Sequence, residues 1–446
     1  QYSDFTKNVP IQSYESIEHL IDRARKGEQN IFWPTPIKWF AKSSGTTNAK
    51  SKFVPVSEEA LEDCHFKAGK DMLCLYINNN PDTQLFTGKG LRLGGSSAVY
   101  EDNNSYFGDL SAIIIENLPF WADYSSAPKQ EIALMSEWEA KMNAIVEETI
   151  QEDITSLVGV PSWMLVLLNR VLEKTGKNNI LEVWPNLEVY FHGGVNFNPY
   201  REQFKRIIPK KNFKYFETYN ASEGFFAIQD VNHSLDLLLM LDYGIFYEFI
   251  PMDQYLGEES EAIPLQEVEL DKNYAIVITT NSGLWRYLIG DTVKFVSLDP
   301  YRIKITGRTK HFINAFGEEL IIENAEDALK KACKKVKAQI VDYTVAPIFM
   351  DGKSKGAHEW IIEFKTPPEN LEYFSELLDN ALKSINSDYE AKRYQDMTLT
   401  MPKVHQADSG LFYNWLKQKG KLGGQHKIPR LSNTRIYIND LLKLNC

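Results

Sequence analysis

Four hydroxyl side chains lie within five residues near the start of the chain, around one glycine and just before two lysines. The five residues are Ser43, Ser44, Gly45, Thr46 and Thr47, and the lysines are Lys50 and Lys52. Hydroxyls and backbone N–H groups on a bent loop can donate to phosphate oxygens, and a nearby lysine adds positive charge. A solvated serine and threonine turn is the alternative interpretation. The Walker pattern G-x-x-x-x-G-K-[ST] does not occur in the chain.

A second polar group follows a predicted strand over residues 213–218. The ring of Tyr219 can stack on a purine base. The hydroxyl of Ser222 can donate to an α-phosphate, and Glu223 is suited to Mg²⁺, which prefers carboxylates together with phosphate oxygens. The alternative is an ordinary turn at the end of a strand, with an exposed glutamate.

Two further positions fit the same kind of ligand. His192, Gly193 and Gly194 follow a predicted strand over residues 187–191, where paired glycines let a flat ring approach the backbone. His192 by itself also fits a histidine of the core. Asp291 follows Gly290 and carries a carboxylate that can accept hydrogen bonds from both hydroxyls of a ribose, although an aspartate that closes a turn has the same pattern.

Four stretches resemble, in order and rough spacing, the signature motifs of the adenylate-forming superfamily, which includes acyl-CoA synthetases, nonribosomal adenylation domains and luciferases. They are residues 43–52, 219–224, 283–291 and 307–310. The sequences of these motifs are most similar to those of the auxin-responsive acyl acid–amido synthetases, the Gretchen Hagen family, in their bacterial form. The resemblance covers essentially the whole chain. Each motif is weak alone, whereas four motifs in order are specific.

The resemblance implies roles for individual residues. The catalytic residues would be Thr46, Glu223 and Lys427, the last a mobile lysine near the end of the chain, with Lys421 as the competing candidate and a basic surface loop as the alternative. Gly193 and Gly194 would border the adenine, Arg308 would reach the ribose together with Asp291, and Lys310 would be a hinge. The residues expected to bind the nucleotide are therefore Ser43, Ser44, Gly45, Thr46, Thr47, His192, Gly193, Gly194, Tyr219, Ser222, Glu223, Asp291 and Arg308, with Glu223 as the metal ligand.

Aromatic residues suggest an apolar or ring-bearing acyl substrate. Phe120, Trp121 and Trp163 are the candidates for its pocket, and plain core packing explains them equally well. The glycine-rich run over residues 88–97 lacks a G-x-G-x-x-G pattern, so we predict a loop or bend at a sheet edge there. The family resemblance places this run beside the acyl pocket.

Composition restricts the class of protein. The chain has 446 residues and a net charge of −11, which argues against nucleic acid or an anionic membrane as the main partner. The four cysteines have no metal-binding spacing, and no apolar run is long enough for a membrane span, so we predict a cytoplasmic protein. Family members usually carry a further helical segment before the matching region, and we expect one ahead of Gln1.

We predict an α/β fold with two domains. Residues 1–306 would form a large ATP- and acyl-binding domain of mixed sheets flanked by helices, with a β-rich subdomain. Residues 307–446 would form a small mobile α+β domain that acts as a lid. Sequence periodicity predicts helices over residues 14–27, 130–151, 323–335 and 369–386, and strands over 274–280, 302–306 and 358–364, with Ser57 as a helix N-cap.

The resemblance implies an ATP-dependent acyl acid–amido synthetase. Such an enzyme adenylates a carboxylic acid with release of pyrophosphate and then transfers the acyl group to the amine of an amino acid, releasing AMP. ATP and Mg²⁺ are the expected cofactors, and the expected partners are a small carboxylic acid and an amino acid. Two alternatives stay open: an acyl-CoA ligase with a thiol acceptor, and a non-catalytic sensor that binds ATP.

Overall fold

The structure is a computed structural model of the 446-residue chain. It describes residues 2–43, 52–94, 100–102, 105–194, 197, 200–309, 313, 320–348, 355–386, 389–390, 393, 399–421, 428–432 and 434–445. The chain divides into two compact units. The first contains Gln1–Ile289 and Lys294–Lys304, and the second contains Gly290–Val293, Ile305–Leu422 and His426–Cys446.

Short helices alternate with strands along the first unit. They are α1 Tyr2–Asn8, α2 Tyr14–Arg25, α3 Glu58–Ala60, α4 Lys67–Asn79, α5 Leu110–Glu116, α6 Phe120–Tyr124, α7 Gln130–Ala133, α8 Trp138–Thr149, α9 Pro161–Thr175 and α10 Arg201–Ile207. A π-helix, Leu61–Phe66, joins α3 to α4 without a break. No helix in the described part of the chain combines the length and the apolar composition that a membrane crossing requires.

Among the described residues, two sheets accompany these helices. The strands are β1 Trp39–Ser43, β2 Lys52–Val56, β3 Lys89–Leu93, β4 Tyr100–Asp102, β5 Ser105–Gly108, β6 Ser126–Ala127, β7 Ile154–Gly159, β8 Val189–Gly193, β9 Lys214–Ala221, β10 Gly224–Ile228, β11 Leu237–Leu239, β12 Ile245–Pro251, β13 Ile263–Pro264, β14 Asn273–Thr280, β15 Tyr287–Leu298 and β16 Tyr301–Arg308. Among the described residues, the smaller sheet has the order β2-β1-β5-β4. The larger sheet has the order β13-β12-β14-β15-β16-β11-β10-β9-β8-β7-β3-β6.

The part of the larger sheet from β6 to β9 is parallel. Helices α8, α9 and α10 lie between successive strands in the chain, as parallel pairing requires. Strand β8 is typical of a parallel strand covered on both faces, because Val189, Tyr190, Phe191 and His192 are all buried. The carboxyl ends of β7, β8 and β9 therefore meet at one edge of the sheet, which is where open α/β folds bind ligands.

The second unit has its own core. Within the described part of this unit, strands β17 Gln339–Ile348, β18 Ala357–Thr366 and β19 Lys403–Ala407 form a three-stranded sheet, and the helices are α11 Ile322–Val336, α12 Leu371–Ile385, α13 Leu411–Gln418 and α14 Ile436–Leu444. Trp360 and Ile362 of β18 share one hydrophobic cluster with Leu329 of α11 and Leu378 of α12. The residues of β18 on either side of this pair, Glu359 and Glu363, are buried with polar partners instead.

The predicted α/β class is confirmed, and most predicted elements exist. The Ser57 hydroxyl accepts a hydrogen bond from the backbone N–H of Ala60 at 3.0 Å, so the predicted N-cap is confirmed. The single helix predicted over residues 130–151 is wrong. The structure has two helices there, because the carboxylate of Glu137 accepts hydrogen bonds from the backbone N–H groups of Glu139 and Ala140 and so starts α8 anew.

The loop predicted for the glycine-rich run at residues 88–97 is wrong over its first part. Residues Lys89–Leu93 form β3, which pairs with β6 on one side and β7 on the other. A Cβ at Gly88 would lie 2.3 Å from the carbonyl oxygen of Asp153. This glycine therefore permits close packing of neighbouring strands rather than a bend.

Candidate active site

The glycine pair at the end of β8 lies beside the end of β9. Gly193 is opposite Thr218 in the parallel register. A Cβ at Gly193 would meet the Thr218 carbonyl oxygen at 2.5 Å and Asn220 Oδ1 at 3.3 Å, so the close approach itself requires glycine. Gly194 has a φ of +76°, where glycine is favoured, and it turns the chain away from the sheet edge. The structure thus brings two of the predicted motifs together.

Ser222 and Glu223 are the two residues that connect β9 to β10, since Ala221 pairs with Gly224. Ser222 is 3% exposed, and its hydroxyl makes no hydrogen bond within the described part of the chain. A buried hydroxyl without a partner costs about 1–3 kcal/mol, and buried polar groups normally have partners. A ligand oxygen, such as that of a phosphate, would satisfy this hydroxyl. Glu223 is half-buried in the same turn.

Cys64, which lies in the π-helix, contacts the second residue of β10, directly after this turn. Its Sγ accepts a hydrogen bond from the backbone N–H of Phe225 at 3.2 Å, and the side chain is 1% exposed. Burial raises the pKa of the Cys64 thiol to about 11, so the thiol stays protonated at neutral pH. The sequence gives no sign of this contact, because it depends on a π-helix that no short pattern predicts. π-Helices often lie at functional sites.

His192 lies in the core. Its ring is 3% exposed and stacks on Phe197 with the ring centroids 4.1 Å apart. Burial lowers the pKa of His192 to about 3, and the positive charge of Arg201 acts in the same direction, so the imidazole is neutral. These contacts match the core interpretation that the sequence left open, and a direct role in nucleotide binding stays a prediction.

Tyr219 is also mostly covered. It is 5% exposed, and its ring packs on Phe226 with the centroids 4.9 Å apart. Stacking of Tyr219 on adenine therefore stays a prediction. Asn220, the next residue, is not among the described non-glycine residues with positive φ, so the turn forms without the left-handed conformation that asparagine tolerates.

Asp291 and Arg308, which the sequence took from two different motifs, form an ion pair in the second unit. Arg308 Nε donates to Asp291 Oδ1 at 2.7 Å. The Asp291 side chain is 8% exposed and that of Arg308 is 45% exposed. Gly290 precedes Asp291 with a φ of +86°, and its carbonyl oxygen accepts from the backbone N–H of Thr309 at 2.8 Å. Asp291 therefore lies within β15, and its partner Arg308 is the last residue of β16.

Several predicted site residues lie outside the described residues. They are Ser44, Gly45, Thr46, Thr47, Lys310 and Lys427. Ser43 is the last residue of β1, and Trp121 belongs to α6. The roles proposed for these residues stay predictions.

The predicted acyl-pocket aromatics lie on α6 and α9. Phe120 is 85% exposed, and its ring stacks on that of Tyr124 with the centroids 6.4 Å apart. The Trp163 ring packs edge-on against Trp138 at 4.8 Å, which matches the packing interpretation. Their roles in an acyl pocket stay predictions.

Glu223 is also the residue that would hold a metal ion. Within the described part of the chain, no three histidine, cysteine, aspartate or glutamate side chains cluster in a way that could bind one. Mg²⁺ that arrives with a nucleotide needs only one or two carboxylates, because phosphate oxygens and water complete its shell. A single half-buried carboxylate beside an unpartnered hydroxyl fits that requirement.

The chain matches three family models. The GH3 family N-terminal domain matches residues 1–213, the central domain residues 238–308, and the C-terminal domain residues 323–436. An indole-3-acetic acid-amido synthetase, GH3.3, of Arabidopsis thaliana is 21% identical over 96% of this chain and 83% of its own length. A 4-substituted benzoates-glutamate ligase, GH3.12, of the same plant is 22% identical over 96% of this chain and 87% of its own.

Solved structures have the same fold. The acyl acid amido synthetase AtGH3.15 in complex with 2,4-DB superposes with a TM-score of 0.82 at 17% identity, over 100% of this chain and 88% of its own. A 2-hydroxyisobutyryl-CoA ligase in the postadenylation state superposes with a TM-score of 0.61 at 12% identity, over 99% of this chain and 83% of its own.

Proposed function

The chain belongs to the GH3 family, and from this premise we propose that it is an ATP-dependent acyl acid–amido synthetase. The observation that carries the proposal is the edge of the sheet where Gly193 lies beside Asn220 and the buried hydroxyl of Ser222 has no hydrogen-bond partner among the described residues. The relatives support the acceptor, since GH3.3 is named as an amido synthetase and GH3.12 as a glutamate ligase.

The proposed reaction has two steps. A carboxylate oxygen of the acid attacks the α-phosphorus of ATP, the bond to the β-phosphate oxygen breaks, and pyrophosphate leaves. The amine of an amino acid then attacks the acyl carbonyl carbon, AMP leaves, and the amine gives up a proton. Because two anions meet in the first step, positive charge and hydrogen-bond donors must stabilise the developing charge.

The described residues have separate tasks in this proposal. Ser222 donates its hydroxyl hydrogen to an α-phosphate oxygen, and Glu223 holds Mg²⁺, which would supply charge neutralisation at the phosphates. Asp291 and Arg308 bind the ribose hydroxyls. Thr46 and Lys427, outside the described residues, complete the phosphate contacts, and Lys310 is the hinge of a mobile lid formed by residues 307–446.

Location in the cytoplasm is also part of the proposal. Cys64, Cys74 and Cys333 are free thiols among the described residues, which fits a reducing compartment. Origin in a bacterium is supported by the sequence resemblance alone.

Exchange of labelled pyrophosphate into ATP tests the first step. We expect exchange with at least one acid of a panel that contains indole-3-acetic, benzoic and jasmonic acids, and loss of most exchange in Glu223→Gln. Glu261→Gln, a change at an exposed loop residue, is the matched control. Absence of exchange with every acid, in protein shown to bind ATP, would contradict adenylation and favour a sensor.

The acceptor needs a second experiment, because a thiol acceptor leaves no short sequence pattern. Coenzyme A and a set of amino acids would be offered to the enzyme together with the active acid, and the products identified by mass spectrometry. We expect an amide of the acid. A thioester as the main product would instead identify an acyl-CoA ligase.

A further inference from the structure

Arg92 of β3 has a guanidinium of which only some N–H donors have a partner among the described residues. Its Nη2 donates to Asp123 Oδ1 at 2.7 Å, and its side chain is 11% exposed. The Nε and Nη1 atoms are buried and make no hydrogen bond to any residue that the structure describes. A buried guanidinium with unused N–H groups is unusual, because native proteins supply partners to nearly all such groups.

The strand register places Arg92 on the same face of the sheet as the candidate active site. Arg92 is opposite Val158 of β7, and Val158 is opposite Phe191 of β8. Side chains two residues apart on a strand share a face, so Gly193 belongs to this face one step further along β8. Two strand spacings, about 10 Å, separate Arg92 from β8.

Apolar surface lies beside this guanidinium. Phe120 and Tyr124, which flank Asp123 in α6, are 85% and 79% exposed, and Val158 is 37% exposed. Exposed apolar side chains around a few convergent polar groups are typical of a small-molecule site.

We propose that Arg92 binds an oxygen of the acyl acid at the end remote from its reacting carboxylate. Because Asp123 already balances the charge of Arg92, an uncharged acceptor such as a carbonyl oxygen is favoured over a second carboxylate. The substrate class is therefore an oxo-substituted acid whose apolar body spans β7 and β8. This inference rests on the proposed function, since it assigns a substrate to the same site.

The test compares matched acids in pyrophosphate exchange: octanoate, a series of oxo-octanoates with the carbonyl at different carbons, and octanedioate. In the wild type we expect kcat/KM to be at least tenfold higher for one oxo acid than for octanoate. Arg92→Met should remove that preference while exchange with octanoate persists. Arg170→Met is the matched control, because Arg170 also makes an ion pair through Nη2, to Glu139 at 2.9 Å.

Asp123→Asn provides a second variant that keeps Arg92 and its packing. It frees the positive charge, so the ratio of kcat/KM for octanedioate to that for the oxo acid should rise at least tenfold. An equal preference for all acids in the wild type, or a preference unchanged in both variants, would overturn the inference. If no acid supports exchange at all, the proposed function itself fails.

Discussion

Asp291 and Arg308 show how one contact can be tested for function apart from stability. Removing the carboxylate leaves Arg308 at the surface, where its charge remains hydrated, since that side chain is 45% exposed. We therefore expect Asp291→Ala to change the free energy of unfolding by only about 1 kcal/mol. Loss of hydrogen bonds to ribose should raise the Kd for ATP about 10- to 100-fold.

Isothermal titration with ATP and thermal unfolding measure the two effects on Asp291→Ala. Asp299→Ala is the control, because Asp299 is exposed in the turn between β15 and β16. An unchanged Kd for ATP would remove the ribose assignment.

Ser222→Ala should separate the contribution of the hydroxyl to activity from its contribution to stability. The buried hydroxyl of Ser222 makes no hydrogen bond to any described residue, so Ser222→Ala breaks none of the hydrogen bonds that the structure shows. We expect an unfolding midpoint equal to or above that of the wild type, and a fall in the rate of pyrophosphate exchange of at least about tenfold. A variant that is less stable and fully active would show that the hydroxyl has a structural role.

The pKa of Glu217 predicts a pH dependence of stability. Burial raises the pKa of this carboxyl from 4.5 to about 7, and the positive charge of Arg201 acts against that rise. Between those values the folded protein keeps a proton that the unfolded chain has lost, so the free energy of unfolding falls as pH rises. The free energy of unfolding of Glu217→Gln, relative to that of the wild type, should therefore rise by about 1–3 kcal/mol between about pH 5 and pH 8.

Chemical unfolding of both proteins at the two pH values measures this gain. Glu202→Gln is the control, because its side chain is 72% exposed beside Lys205. Equal pH dependence of Glu217→Gln and the wild type would show that Glu217 is ionised in the folded protein.

The chemistry of single side chains was easier to infer from the sequence than the contacts that hold those side chains. Ser222 and Glu223 follow a strand and carry groups suited to phosphate and Mg²⁺, so their chemistry can be read along the chain. Arg92 and Cys64 act through partners 31 and 161 residues away, and such contacts leave no local pattern.

At the scale of elements, the π-helix Leu61–Phe66 supports the turn that carries Glu223. Cys64→Ala removes the acceptor of the buried Phe225 N–H and leaves a small cavity, so we expect the free energy of unfolding to fall by about 1–3 kcal/mol. The KM for ATP should rise, since Phe225 is two residues from Glu223. Cys64→Ser retains an acceptor and should restore much of the activity.

Thermal unfolding and pyrophosphate exchange at varied ATP concentration measure both effects of the Cys64 variants. Cys74→Ala, a change at an exposed thiol of α4, is the matched control. If Cys64→Ala lost stability with an unchanged KM, the π-helix would matter for folding alone.

Helices and strands were predictable where one hydrophobic period dominated the local sequence. The helix predicted over residues 323–335 is α11, and the strand predicted over 302–306 lies within β16. The predictions failed where a capping side chain or pairing with distant strands determined the secondary structure. Glu137 interrupts a continuous helical pattern by capping α8, and β3 forms in a glycine-rich run because β6 and β7 pair with it.

At the scale of the whole molecule, four motifs in order predicted the family and the α/β class. They did not predict how the beginning of the chain is held. Tyr2 in α1 donates its hydroxyl hydrogen to Glu248 Oε1 at 2.7 Å, and Arg286 Nη1 donates to the carbonyl oxygen of Val9 at 2.8 Å. These partners are separated by 246 and 277 residues in the chain, so only the folded structure brings them together.

The buried ion pair at the centre of these contacts gives the last prediction. Arg286 Nε lies 2.9 Å from Glu248 Oε2, and the two side chains are 6% and 1% exposed. Glu248→Gln leaves a buried arginine without its counter-charge. We therefore expect the free energy of unfolding of the first unit to fall by about 3–5 kcal/mol. Because Tyr2 and Val9 depend on the same pair, proteolysis of the first residues should accelerate as well.

Chemical unfolding and limited proteolysis measure these effects on Glu248→Gln. Glu269→Gln is the control, since it breaks an ion pair with Lys272 in which the glutamate is 70% exposed. The double variant Glu248→Gln with Arg286→Met should lose less than the sum of the two single changes, because no unpaired charge remains buried. A loss below about 1 kcal/mol in Glu248→Gln would mean that Arg286 finds other acceptors, and the ion pair would then not be needed to hold residues 2–9.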